Sequence, residues 1–177
     1  MSKLAIALAV GVAACGAHPP SAATQRSLQD QASLTLDEMR ARDPSLDPLL
    51  AAFAGYVVFP EIGAAGGVVA GGAFGRGILY EHGRPAGYVE LQQGSIGPQL
   101  GGQTYAELVI VQDQLDVDFL KAGTFDLGAD ASAVVLTKGV AASARFNRGT
   151  SVFVMPRGGL MAGVAVSGQR IYYQPLG

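Results

Sequence analysis

The chain has no tryptophan, one cysteine and two histidines among its 177 residues, and charged side chains make up only 15% of it. A single thiol, Cys15, excludes an internal disulfide and leaves an odd cysteine to explain. Catalysis by a serine or cysteine nucleophile calls for a histidine beside it. His18 lies in the polar stretch GAHPPSAATQ, and His82 lies in the turn signal Glu81-His82-Gly83, so neither is set against a nucleophile. A zinc site needs three or four nitrogen, sulfur or oxygen ligands at workable spacing. Two scattered histidines and no spare thiol do not supply them. Acid is missing from the last quarter of the chain: all 14 acidic residues lie at or before Asp130. Lys138, Arg145, Arg148, Arg157 and Arg170 follow, so residues 131–177 carry +5, against −8 over residues 16–130. The whole chain sums to −2, which advertises no field for nucleic acid. Its polarity suits a basic surface that meets an anionic partner.

Small apolar residues and glycine are abundant. Hydrophobic residues make up 49% of the chain, and 25 positions are glycine. The length suits one domain with tails, large enough to bury a core without staples. The opening MSKLAIALAVGVAACG reads as an address. Lys3 provides a positive start, and Leu4 to Ala14 is an uncharged run of eleven residues. A bilayer span needs about 20, so this run fits a secretory signal. Val12-Ala13-Ala14-Cys15 has the form of a bacterial lipobox, in which small residues admit the peptidase and the free thiol takes a diacylglyceryl group. The expectation is a signal peptide over 1–14, a lipidated tether over 15–23 anchored through Cys15, and one domain over 24–177. Each buried methylene of an acyl chain adds about 0.8 kcal/mol of anchoring. Gly16 after the cysteine, where an aspartate would favour inner-membrane retention, places the expected anchor in the outer membrane facing the periplasm.

TQRSLQDQASLTLDEMRAR, residues 24–42, predicts a helix, with Leu28, Ala32, Leu36 and Met39 at three- and four-residue steps. Asp43-Pro44 ends it, and Asp47 with Pro48 is expected to cap a short second helix carrying Leu49, Leu50 and Phe53 inward. The first helix mixes acids and bases on its polar face, which favours packing over membrane insertion. Strands follow. YVVFP is expected to end at Pro60, and GVVAGGAFGRGILY, RPAGYVELQQG and the long tract SIGPQLGGQTYAELVIVQD come next. DQLDVDFLKAG predicts a short helix stopped by Gly123. TFDLG, ASAVVL, GVAASARF, TSVFVMP, LMAGVAV and RIYY complete the series. The fold class is α+β, mainly β: N-terminal helices, then a small antiparallel, glycine-rich, closed or nearly closed barrel-like sheet with one inserted helix.

GGVVAGGAFGRG, Gly66 to Gly77, contains neither a GxxxxGK string nor a GxGxxG register. It runs on into Ile78-Leu79-Tyr80 as a strand, so its glycines read as a bent strand in a tightly curled sheet rather than a phosphate cradle. An outer-membrane barrel would show aromatic girdles and long lipid-facing strands, which this tryptophan-free chain with leading helices lacks.

AGYVVFPEIGAAGGVVAGGAFGRGILY, GSIGPQLGGQTYAELVIV, FLKAGTFDLGADASAVV and GLMAGVAVSGQRIYY, in that order, resemble the SYLF domain over roughly residues 51–173. The resemblance implies a lipid-binding module, and in bacteria an exported or lipid-anchored envelope protein. It supplies no catalytic residues. Eukaryotic members bind phosphoinositides, and some bind actin. No basic amphipathic helix precedes this domain, so neither partner is expected here.

Remaining carboxylates fit turns and caps: Asp126 and Asp130 flank Leu-Gly-Ala, and Asp113, Asp116 and Asp118 cluster at a helix start without an EF-hand pattern. No catalytic residue, metal or cofactor is therefore expected. Lys138, Arg145, Arg148 and Arg157 are the expected lipid-headgroup contacts, with Arg145 and Arg148 presented together by the turn FNRG. The other reading is an envelope scaffold that meets proteins and binds no lipid beyond its own anchor.

Overall fold

A computed structural model describes residues 21–67, 70–96, 101–128, 133–159 and 168–176. The signal segment, Cys15, His18, Asp130 and the strand expected over LMAGVAV lie outside the described residues.

Helix α1 (Ala22–Arg42) starts at Ser21, whose hydroxyl accepts a hydrogen bond from the Thr24 N–H, and ends at Asp43. The predicted stripe does bury: Ala32, Leu36 and Met39 sit in the core, with Leu28 packed at its edge. Helix α2 (Leu46–Ala52) begins two residues earlier than expected. Ser45 is its cap position, and Asp47 lies in the first turn, paired to Arg40 at 2.9 Å.

Among the described residues eight strands follow, in one sheet ordered β5-β8-β3-β2-β1-β4-β7-β6 and curled into a half-barrel. They are β1 (Gly55–Gly66), β2 (Ala70–Glu81), β3 (Arg84–Ile96), β4 (Gly101–Val111), β5 (Thr124–Asp126), β6 (Ala133–Val135), β7 (Thr150–Gly159) and β8 (Gln169–Pro175). The inserted helix is α3 (Gln114–Lys121). Thus the mainly-β fold with leading helices, a barrel-like curled sheet and one inserted helix is what the chain adopts.

Several local expectations are corrected. Strand β1 does not stop at Pro60. It continues to Gly66 as a central strand, with a bulge between Val58 and Glu61 against β2 and between Phe59 and Ile62 against β4. A bulge is the place where a ladder tolerates a residue without an N–H. Strand β1 is therefore 12 residues long rather than a short strand. The sheet is not wholly antiparallel, because β6 pairs with β7 in parallel. GVAASARF forms no strand: Ala141–Ser143 is a single 3-10 turn.

Alternation sorts the strands into two cores. Tyr56, Val58, Ile78, Leu108, Ile110, Phe153 and Met155 face α1 and α2. Val57, Phe59, Leu79, Leu91, Val109, Val154 and Ile171 face the other way, with Val117 and Leu120 of α3. This second face is the concave one. Glu107 on β4 and Gln169 on β8 touch across it at 3.1 Å, although β1, β2 and β3 separate their strands. Laid flat, four strand spacings would part them by about 19 Å. Gly77 shows what such curvature demands. A Cβ there would stand 2.4 Å from the Val58 carbonyl oxygen and 2.7 Å from the Phe59 ring. Part of the GGVVAGGAFGRG stretch is therefore glycine because β1 passes too close for a side chain.

Candidate functional site

The two edges of the half-barrel, β5 and β6, are each three residues long and belong to opposite ends of the strand order. Between them lies a cleft of about 500 Å³. Phe125 and Leu127 line it from the β5 side, Val134 and Val152 from the β6–β7 side, and Val140 and Ala144 from the loop before β7. Leu127 and Val152 also belong to the concave core, so the floor of the cleft is the margin of that core. On β6, Val134 is 43% and Val135 is 52% exposed, a large apolar exposure for so short a strand.

Arg145 and Arg148 stand at the rim of this cleft with Ser143 and Asn147. The turn chemistry explains their position. Asn147 and Thr150 exchange both backbone hydrogen bonds, at 2.8 and 3.0 Å, around Arg148 and Gly149. These two residues have φ of 48° and 76°, the left-handed pattern of a two-residue type I′ hairpin turn. Phe146 is pinned against Phe53 of the α2 end, ring centroids 4.5 Å apart. Both arginines are exposed, and Arg145 has no ion-pair partner among the described residues.

The lip of the cleft is fixed from a distance by Asp43. Its Oδ1 accepts from the Ser45 N–H and hydroxyl and from the Gly139 N–H, at 3.1, 2.6 and 2.9 Å, and its Oδ2 accepts from the Ala141 N–H at 2.8 Å. Burial pushes this carboxyl up, but the four hydrogen bonds outweigh it and hold the pKa at about 2. Lys138, next to Gly139 on this loop, is exposed.

Of the other residues singled out in the sequence, Asp126 also lines the cleft, on its β5 side, and the rest fall elsewhere. Arg157 lies at the far end of β7 and is engaged, donating to the Pro60 carbonyl at 3.2 Å and the Thr35 hydroxyl at 3.1 Å and pairing with Glu38 at 3.0 Å. It clamps α1 to the sheet and does not line the cleft. Asp126 is held by Arg170 through two hydrogen bonds of 2.8 and 3.2 Å, which lower its pKa. Asp113 is the cap position of α3, Asp116 lies in its first turn, and Asp118 accepts from Gln114 at 3.1 Å. His82 sits at φ 49° in the Glu81–Arg84 turn, the same turn pattern as Arg148. Among the described residues, no three of His, Cys, Asp and Glu are grouped to hold a metal. Nor is any described helix long and apolar enough to cross a membrane.

One group escaped the sequence reading. Glu107 is fully buried in the concave core, and burial raises its pKa to about 8, the Gln169 hydrogen bond offsetting only part of that rise. The signal was present in Tyr-Ala-Glu-Leu-Val-Ile-Val. A strand with no polar face is covered on both sides, so the acid in its middle is buried whichever way it points. Compared with protein-family models and with curated proteins, the chain matches none, so the family resemblance rests on its own sequence blocks.

Proposed function

We propose that this is a lipid-anchored bacterial envelope protein, attached through Cys15, whose SYLF-like domain is non-catalytic and binds lipid or an anionic membrane surface. The observation that carries the reading is the seam of the half-barrel. An apolar cleft continuous with the concave core has Arg145 and Arg148 at its rim. Such a site matches a molecule with an anionic head and an aliphatic body: guanidinium groups bind phosphate or carboxylate in a fork, and the cleft takes chain. Exposed Lys138 on the same lip adds to the positive field. Arg157 is dropped from the headgroup set, because α1 and β1 already occupy it.

The test is co-sedimentation of residues 16–177 with anionic and with zwitterionic vesicles. Each basic residue at an anionic surface is worth about 1 kcal/mol, so reversing Arg145 and Arg148 to glutamate weakens anionic binding by at least about tenfold. Unchanged binding of the Arg145→Glu, Arg148→Glu variant rejects the site. A scaffolding role has one observation in its favour, the exposed valines on the β6 edge. A stable protein partner lost on Val135→Lys, with no lipid retained, decides for it.

A further inference from the structure

Two buried oxygens in the concave core have no hydrogen-bond partner among the described residues: Oε1 of Glu107 and Oε1 of Gln169. The same two side chains are joined at their other ends, where Gln169 Nε2 donates to Glu107 Oε2 at 3.1 Å. Both residues are fully buried. A carboxylate in this position leaves two acceptors facing one donor group, and buried unpaired acceptors cost stability. A neutral carboxylic acid removes the mismatch. Its O–H donates to the amide oxygen while the amide N–H donates to its carbonyl, so one proton partners both orphaned oxygens.

We propose that Glu107 is protonated in the folded protein at neutral pH, that it forms an acid–amide ring with Gln169 across the half-barrel, and that losing this proton loosens the seam.

The surroundings support a neutral acid. Strands β1, β2, β3 and β7 and helix α3 present apolar side chains to this core. The titratable groups facing it are Tyr105 on β4, also fully buried, and the half-buried Tyr173 on β8, whose hydroxyl donates to the Ala86 carbonyl at 3.1 Å. On α3, Lys121 turns outward to Glu81 at 2.5 Å. No cation among the described residues therefore faces Glu107 to stabilise a carboxylate. Burial is the leading cause of its raised pKa, in the same direction as the geometry. The Tyr105 hydroxyl oxygen accepts a hydrogen bond from the Gln169 amide and is pushed upward by burial and by Glu107, but the orphaned amide oxygen receives no hydrogen bond from it.

The consequence for the seam follows from the backbone. The Gln169 carbonyl accepts from the Leu127 N–H at 2.9 Å, and the Gly168 N–H donates back to the Leu127 carbonyl at 2.9 Å. Leu127 lines the cleft. A carboxylate formed at Glu107 is drawn toward water, and the backbone pairing of Gln169 and Gly168 with Leu127 ties its hydrogen-bond partner to the cleft margin. The device works whether or not the cleft takes lipid.

The experiment compares the full chain with its Glu107→Gln variant, whose second amide reproduces the ring of the neutral acid. Infrared spectra at pH 7 should show a protonated carboxyl carbonyl band that the variant lacks. That band should vanish as the pH passes about 8. In urea unfolding, the folding constant of the wild type relative to the variant should fall about tenfold per pH unit between 4.5 and about 8. Relative to the variant, amide exchange at Gln169 and Ile171 should be equal below about pH 4.5, quicken about tenfold per pH unit up to about 8, and level off by about pH 9. The ratio at each pH cancels the base catalysis of exchange. A wild-type spectrum without the band at pH 7 overturns the proposal, even if the variant does not fold. A pH-independent stability ratio overturns it too, and so does a pH slope that disappears in Tyr105→Phe. A band that titrates with no change in the exchange ratio overturns the link to the seam.

Discussion

Replacing Asp43 by asparagine should cost about 2 kcal/mol at pH 7, and the cost should fade in acid. The carboxyl lies under a thin layer of protein at the end of α1, with no exposed area, and gathers four hydrogen bonds. Its pKa is lowered from 3.8 to about 2 by those bonds, against the upward push of burial. A shift of that size is worth about 2 kcal/mol of folding free energy. The folded state favours the charged form, so the contribution is complete well above pH 3.8 and is lost as the pH falls through about 2. By pH 3 roughly half of it is gone. The introduced asparagine keeps an acceptor for Ser45 and Gly139 but sets an NH2 group against the Ala141 N–H, so the seam lip loosens as well. Asp43→Ala strands the Gly139 and Ala141 donors outright and should cost about 3–5 kcal/mol. The assay is urea unfolding of wild type and both variants at pH 7 and pH 3. If Asp43→Asn falls within about 0.5 kcal/mol of wild type at pH 7, the usual scatter for neutral substitutions, the reasoning fails. An undiminished cost at pH 3 refutes it equally.

Glycines in the sheet should divide by the space around them. Gly77→Ala, whose methyl meets the Val58 carbonyl, should destabilise by about 1–3 kcal/mol, whereas Gly63→Ala, with nothing within 4 Å, should be neutral or slightly stabilising in thermal melts. Phe153 is fully buried between the helices and the sheet and lines the cleft from behind, so Phe153→Ala should cost about 3–5 kcal/mol in urea. Binding to anionic vesicles should fall steeply between low and physiological salt, because the rim arginines are exposed and screened, and salt-independent binding would mean that the apolar cleft alone does the work.

Much of this architecture could be read from local pattern. The spacing of Leu28, Ala32, Leu36 and Met39 gave α1 its buried stripe. The Asn-Arg-Gly turn put Arg145 and Arg148 on one lip, because a two-residue hairpin leaves little freedom in where its neighbours go. What stayed hidden depends on contacts distant in sequence. Residues 139–146 alternate enough to suggest a strand, yet Asp43, nearly a hundred residues earlier, draws Gly139 and Ala141 into a turn. Pro60 looked like a terminus, and only the bulges against two neighbouring strands let β1 run through it. The parallel pairing of β6 with β7 needs a crossover through the loop that Asp43 holds at Gly139 and Ala141, a contact no window of sequence contains. Arg157 read as a surface cation because its partners lie on α1 and β1.

Native mass spectrometry of residues 16–177, purified from a bacterial periplasm without the anchor, tests lipid binding by the domain most directly. A retained phospholipid or fatty acid is predicted, with the adduct lost in the Arg145→Glu, Arg148→Glu variant. A bare protein mass that persists after incubation with envelope lipids would contradict the proposal and leave Cys15 as the only lipid connection.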